Sequence, residues 1–212
     1  MALATPTKTY ASAIDAAKEA PPALELTVFG QLVGASGLNV PSSHAEWKLR
    51  AGDGWTLAAG AASGSTQCDW PTASGAAGVA HVWHHPVDAR FTSTSGLAGW
   101  PRLEIEVRQR DEHGRSDLAG YAVAHVPTAP GAHTLTAAVW RPRGSALERL
   151  AASFVGGRPA LRDRELVFGS LVGGSLARGE LGEKKLVTAP AGTVHLLLNV
   201  AVRHTAQQGR KR

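Results

Sequence analysis

From Leu24 the chain takes on a period of two. Leu24, Leu26 and Val28 alternate with Glu25, Thr27 and Phe29, and Gln31-Leu32-Val33 continues the run. Alternate side chains of an extended backbone point to opposite faces, so this stretch predicts a strand with one buried face. Gly34-Ala35-Ser36-Gly37 is read as its end, because glycine supplies turn conformations that other residues avoid. Further strands are predicted near Ala45–Arg50, Thr56–Ala59, Ser65–Asp69, Val87–Phe91, Arg102–Arg110, Ala119–Pro127, His133–Trp140 and Thr193–Arg203, with Gly-, Pro- and Ser-rich turns between them. Short strands at such spacing argue for an all-β fold, an antiparallel sandwich of about eight strands. An α/β fold would need strands alternating with long helices, and that alternation is missing.

One short helix is signalled at about 145–155. Ser145 precedes Ala146-Leu147 with Glu148 three residues on, the pattern of a capping box. Leu147, Leu150, Ala151 and Phe154 fall at helical spacing, and Gly156-Gly157 supply the stop. Pro21-Pro22 mark a border, since two prolines remove two donors and fix two φ angles. Residues 1–22 are therefore expected to be a disordered extension, 23–204 the folded domain and 205–212 a basic tail. Gly169–Glu183 holds five glycines and reads as a surface loop.

Composition narrows the class. Of 212 residues 43% are hydrophobic and 18% charged, enough apolar material for one sizeable core. The formal charge of +5 is compatible with an anionic partner such as lipid headgroups, but part of it crowds the end, at Arg203, Arg210, Lys211 and Arg212. The one cysteine, Cys68, excludes an intrachain disulfide and a multi-cysteine zinc site, and fits a reducing, cytoplasmic compartment. No run approaches the roughly 18 apolar residues of a membrane helix, and the start of the chain carries no secretory hydrophobic stretch.

Searching for chemistry yields little. The chain has no P-loop, no Gly-x-Gly-x-x-Gly after a strand and no Gly-x-Ser-x-Gly elbow, so no catalytic residue is assigned. His81, His84 and His85 cluster around Trp83. In a strand His81 and His85 share a face but lie about 13 Å apart, too far to hold one metal ion. The segment is read instead as a loop entering a strand, packed by Trp83 and Pro86. The six tryptophans sit mostly beside Pro or Gly at strand ends, so they read as core and corner residues rather than base-stacking platforms, and no nucleic acid is expected.

The carboxylates are more informative. Leu103, Ile105 and Val107 alternate along a strand that runs into a polar loop, and Leu118-Ala119-Gly120 opens the next strand. This resembles the C2 domain, whose calcium loop reads Asp-x-Asp-x5-Asp followed by an apolar-x-Gly. Here the three positions are Gln109, Asp111 and Asp117, with a carboxamide where the first acid should be. The other loop that would hold calcium, Gly37–His44, contains no carboxylate. Calcium takes six to eight oxygen ligands, largely anionic. The resemblance therefore implies a C2-like fold with a degenerate calcium site, and no metal or other cofactor is assigned.

A narrower resemblance covers nearly all of 24–203. In order stand Gly30-Gln31-Leu32-Val33-Gly34-Ala35-Ser36-Gly37, Thr66-Gln67 with Asp69, Trp83-x-His85-Pro86-Val87-Asp88 with Phe91, and Gly99-Trp100-Pro101-Arg102-Leu103. Then come Gly120-Tyr121, His125-Val126-Pro127, Pro130-Gly131-x-His133, Trp140-Arg141-Pro142-x-Gly144-Ser145, Phe154-Val155-Gly156-Gly157 and Gly192-Thr193-Val194. The set resembles the B9 domain, a divergent C2-like family of ciliary proteins. What that implies is a scaffold at the transition zone and basal body that supports cilium assembly and gates membrane-protein entry. The implied partners are other B9-domain proteins, including the Meckel syndrome type 1 protein, with tectonic-group membrane proteins as further candidates. Two other readings stand beside it: calcium-independent binding to an anionic lipid surface through Arg162, Arg164 and the tail, and an enzyme, which no motif supports.

Overall fold

The computed structural model describes residues 24–71, 81–94, 96–110, 113–142 and 187–204. Among them the chain forms nine strands: β1 (Leu24–Ser36), β2 (His44–Arg50), β3 (Trp55–Gly60), β4 (Ser63–Ser65), β5 (His81–Ser93), β6 (Arg102–Arg110), β7 (Ser116–His125), β8 (Gly131–Pro142) and β9 (Thr188–His204). The all-β expectation holds, with nine strands in place of about eight. All pair antiparallel in one continuous sheet, in the order β3-β5-β1-β9-β8-β7-β6-β2-β4. The predicted helix at 145–155, the glycine-rich stretch 169–183, the N-terminal 22 residues and the tail 205–212 lie outside the described residues.

A flat sheet of nine strands would leave its apolar face in water, so this one doubles over. The fold line is the β7–β8 contact, where the two strands share one register pair, Tyr121↔Trp140. Every other neighbouring pair runs for three or more residues. Gly120 permits the close approach: a Cβ there would stand 2.5 Å from Val139 Cγ1 and 2.9 Å from the Trp140 carbonyl oxygen. The five strands β3-β5-β1-β9-β8 then face the four strands β7-β6-β2-β4. Leu26, Val28, Phe91, Leu196 and Leu198 from one layer meet Trp47, Leu49, Leu103, Ile105 and Val107 from the other in a single buried core.

β7 and β9 begin three and five residues before the expected Ala119 and Thr193, and three further expectations shift for identifiable reasons. The first strand does not end at Gly34. It runs to Ser36, and the local irregularity is absorbed by a bulge between Leu32 and Gly34 against both neighbours. The fourth strand is only Ser63–Ser65, and the expected extension to Asp69 becomes a single bridge from Asp69 to Ser43. The histidine segment is not a loop: β5 begins at His81, with His81, Trp83 and Val87 buried and Val82, His84 and Pro86 exposed in strict alternation. Pro86 fits within a strand because β3 pairs with β5 only from Ala89 onward. The missing amide therefore faces an open sheet edge, where proline costs no ladder bond.

Gly120→Ala should test the fold line. Overpacking of this kind costs about 1–3 kcal/mol, so the variant's denaturant midpoint should fall at an unchanged m-value. A midpoint equal to that of the parent would mean the strands do not approach so closely.

Candidate functional site

Two groups of side chains hold the folded sheet closed away from the β7–β8 line and a third packs on that line, and they coincide with motifs picked out above. The first is Thr66-Gln67-Cys68-Asp69. Gln67 Nε2 donates to the Trp83 carbonyl, and the Val82 amide donates to Asp69 Oδ2 at 2.9 Å. Both satisfy backbone groups on the part of β5 that β3 leaves uncovered. Asp69 also exchanges two backbone hydrogen bonds with Ser43, at 2.8 and 2.9 Å, and Trp83 Nε1 donates to the Ser43 carbonyl at 3.2 Å. The Ala45 amide donates to Thr66 Oγ1 at 2.9 Å. The start of β2 in one layer is thereby tied to β5 in the other. This lock needs side chains of fixed length and polarity, which explains the residue types.

The second group closes the opposite end. Trp55 and Trp100 meet edge to face with ring centroids 5.3 Å apart, an arrangement the aromatic quadrupole favours. Each indole N–H reaches a carbonyl, Trp55 to Ala98 at 2.7 Å and Trp100 to Val126 at 2.9 Å. Gly52 donates its amide to the Gly99 carbonyl at 2.8 Å, and a Cβ on either glycine would stand 2.7 Å from the Cα of the other. The third group lies outside the core, where Tyr121 and Trp140 pack with centroids 5.5 Å apart beside Leu118 and Val123. Tyr121 is fully buried. Trp100 packs against the main core, and Tyr121 and Trp140 pack in this satellite cluster.

The residues expected at a degenerate calcium loop are partly described. Gln109 on β6 and Asp117 on β7 are register partners, so the fold does bring them side by side; Asp111 lies outside the described residues. Gln109 is flanked in sequence by Arg108 and Arg110. The facing loop Gly37–Ser43 is fastened to the same end by Ser42, whose Oγ donates to the Arg110 carbonyl at 2.6 Å and accepts from the Arg110 amide at 2.9 Å. Beside it a recess of about 300 Å³ is lined by Gly37–Val40, Ala119, Arg141 and Pro190–Gly192. Among the described residues no three His, Cys, Asp or Glu side chains come together. His81 and His85 point inward and His84 outward. His85 packs on Trp47, with centroids 5.9 Å apart.

Sequence reasoning missed the pair Glu104 and Glu106. Alternation with Leu103, Ile105 and Val107 places them on the outer face of β6, where solvent exposure is the default, yet both are buried. Arginines cover them. Glu104 Oε1 takes Arg102 Nη2 at 2.9 Å, Arg102 Nε at 3.0 Å and Arg50 Nε at 3.1 Å. Glu106 Oε1 takes Arg108 Nη2 at 2.7 Å, and Arg108 Nε lies 3.2 Å from Glu46. The signal available was the Arg-x-Glu-x-Glu-x-Arg run itself, since residues two apart on a strand share a face. The arrangement is electrostatic glue for the β2–β6 pair rather than a reaction centre.

Comparison with known proteins finds relatives that cover most of the chain. The family model described as "Ciliary basal body-associated, B9 protein" (B9-C2) matches residues 26–201. B9 domain-containing protein 2 of rat and of human are each 39% identical over 185 residues, covering 87% of this chain and 97% of theirs. B9 domain-containing protein 1 of Xenopus laevis is 29% identical over 87% of each chain. Among solved structures, the C2A domain of plant Extended Synaptotagmin 1 aligns with a TM-score of 0.37 and 15% identity, over 84% of this chain and 95% of that one.

The buried histidine at the lock yields a pH prediction. Burial pushes the His81 imidazole below its usual 6.5, and the nearby Asp69 carboxylate offsets this only in part. His44, also lowered chiefly by burial, acts in the same direction. A depressed folded pKa means the unfolded chain binds more protons, so this stability is fully present above about pH 6.5 and is lost as pH falls through the lower folded value. Thermal midpoints should fall between pH 7 and pH 5, and His81→Leu should flatten that slope; an unchanged slope would remove His81 from the account. These contacts complete the description of one sandwich, and the chain belongs to the B9 family of ciliary basal body-associated proteins.

Proposed function

We propose that this protein is a non-catalytic scaffold subunit of the ciliary transition-zone complex. In this reading it acts in the cytoplasm at the transition zone and basal body, supports cilium assembly and helps to gate membrane-protein entry. Its partners are other B9-domain proteins, including the Meckel syndrome type 1 protein, with tectonic-group membrane proteins as further candidates. The observation that carries the reading is the family match across residues 26–201, which takes in every described strand except the outermost ends of β1 and β9. The polar side chains of the site support it in kind. The Gln67, Asp69 and Ser42 side chains spend hydrogen-bonding capacity on backbone groups, the work of a rigid module rather than of a substrate pocket. The domain is proposed to span 23–204.

The loop end favours constitutive assembly over a calcium switch. Gln109 offers a neutral carboxamide, Asp111 and Asp117 offer two carboxylates, and the facing loop Gly37–His44 offers no acid. That is well short of the anionic oxygen set that offsets calcium dehydration. A second reading, calcium-independent contact with anionic lipid headgroups, draws on Arg141 opening into the 300 Å³ recess at the same end.

Co-expression with a sibling B9-domain protein should give a stable heteromer by size exclusion at micromolar concentration. Clean separate monomers would count against assembly. Calorimetry should show no micromolar calcium binding; binding that vanishes in Asp111→Ala would restore the calcium switch. Flotation with phosphoinositide vesicles, lost on Arg141→Glu and independent of calcium, would support the lipid reading.

A further inference from the structure

The first residues of β5 are joined to the sandwich differently from the rest of that strand. The β1–β5 ladder is interrupted by the bulge between Leu32 and Gly34, and beyond it stand two register pairs, Gly34↔Val82 and Ala35↔His81. Opposite the bulge His84 takes a left-handed φ of +44°, the one non-glycine residue to do so among the described residues. β3 does not reach this stretch. In its place stands the strap Thr66–Asp69. It meets β5 through two side-chain hydrogen bonds, Gln67 Nε2 to the Trp83 carbonyl and the Val82 amide to Asp69 Oδ2. On its other side the strap is bonded through its main chain. The Thr66 amide donates to the Ala45 carbonyl at 2.9 Å, and Asp69 exchanges two bonds with Ser43. The strap is thereby fixed to β2, and its weaker join is the one to β5.

His81 lies at that weaker join. It is 1% exposed, and its Nδ1 has no hydrogen-bond partner among the described residues. A neutral imidazole can leave one nitrogen as an unused acceptor. An imidazolium carries N–H groups on both nitrogens, so Nδ1–H would become a charged donor with nothing to receive it. The β1 register partner of His81 is Ala35, neutral and buried, and the end of β2 offers neutral Ser43. The charged group that faces the ring among the described residues is the Asp69 carboxylate of the strap. One oxygen of that carboxylate is already taken by the Val82 amide.

From this geometry we infer that His81 is an acid-operated release: when its ring takes up a proton, His81 and Val82 leave the strap and turn outward about the bulge, while Trp83 and the core behind it stay in place. Release frees the Val82 amide and the Trp83 carbonyl on an open sheet edge. Unpaired groups of this kind are those through which a sheet accepts an added strand. The device is independent of the assembly reading above. Its range is bounded. A histidine with the ordinary pKa of 6.5 when released, and held neutral when closed, favours release at pH 5 over pH 7 by at most about 25-fold.

Amide hydrogen exchange on the full chain, read residue by residue and divided by the intrinsic rate at each pH, tests the release. Protection of the Val82 amide should fall severalfold from pH 7 to pH 5, within that 25-fold limit. In about 1 M urea it should hold steady while protection in β6 and β9 drops, because a local opening exposes little new surface. His81→Leu should reduce the pH response at Val82 to less than about twofold, and His44→Gln should leave it in place. Val82 protection that tracks β6 and β9 in urea would show that the strand start opens only with the whole sandwich, and would overturn the release. Equal protection of Val82 at pH 7 and pH 5 would overturn it too, and so would a response abolished by His44→Gln. The pH and urea series on the parent chain decide the matter even where His81→Leu does not fold.

Discussion

The constraint on which this molecule depends is the doubling of one sheet. Backbone hydrogen bonding runs unbroken through nine strands but narrows to the single Tyr121↔Trp140 pair where the sheet turns over. Strand-to-strand pairing joins the two layers only on that side. The other margins rest on side chains and on isolated backbone bonds such as Ser43 with Asp69, because β3 and β4 at the ends of the strand order do not pair with each other. Hence the concentration of polar and aromatic residues at those margins: Gln67, Asp69 and Ser43 at one, Trp55 and Trp100 at the other. The apolar core supplies the driving force, and these contacts set the alignment of the layers.

Seen this way, several motifs that read as family signatures have structural work to do. Trp83-x-His85-Pro86 combines three needs in four residues. An indole fills the core and donates to the Ser43 carbonyl, a histidine packs on Trp47, and a proline occupies an edge position with no amide to pair. The Gly37–Ser43 loop and the end of β6 are likewise joined by Ser42 through the Arg110 backbone. A loop fastened through neutral hydroxyl and amide groups is suited to holding a shape.

Much of the strand plan was legible, and what was not has a common cause. The alternation at Ala45–Arg50 and Arg102–Arg110 marked β2 and β6 to within a residue, since one face of each meets the core and the period is unmistakable. β5 was shortened in the reading because its buried face near the start carries His81, Trp83 and His85 rather than aliphatic residues. Polarity hid the period. β1 was cut short because a bulge keeps Gly34–Ser36 in the sheet where glycine suggested a turn. The burial of Glu104 and Glu106 was only partly readable: Arg102 and Arg108 stand in the same run, but Arg50 comes from a strand more than fifty residues earlier. At the candidate site, Gln109 in place of an acid could be seen in the sequence; its pairing with Asp117 required the register of β6 on β7.

The contact between Gly52 and Gly99 carries a consequence for how such a sequence can change. Each backbone occupies the space where the other's side chain would begin, and Gly99 also holds a φ of +71° that favours glycine. Replacing one glycine is not relieved by shrinking the other, because neither has anything left to lose. Two positions separated by nearly fifty residues therefore behave as one inherited character. A lineage can discard both by remodelling the whole corner beneath Trp55 and Trp100, but it has no single-step path away from either.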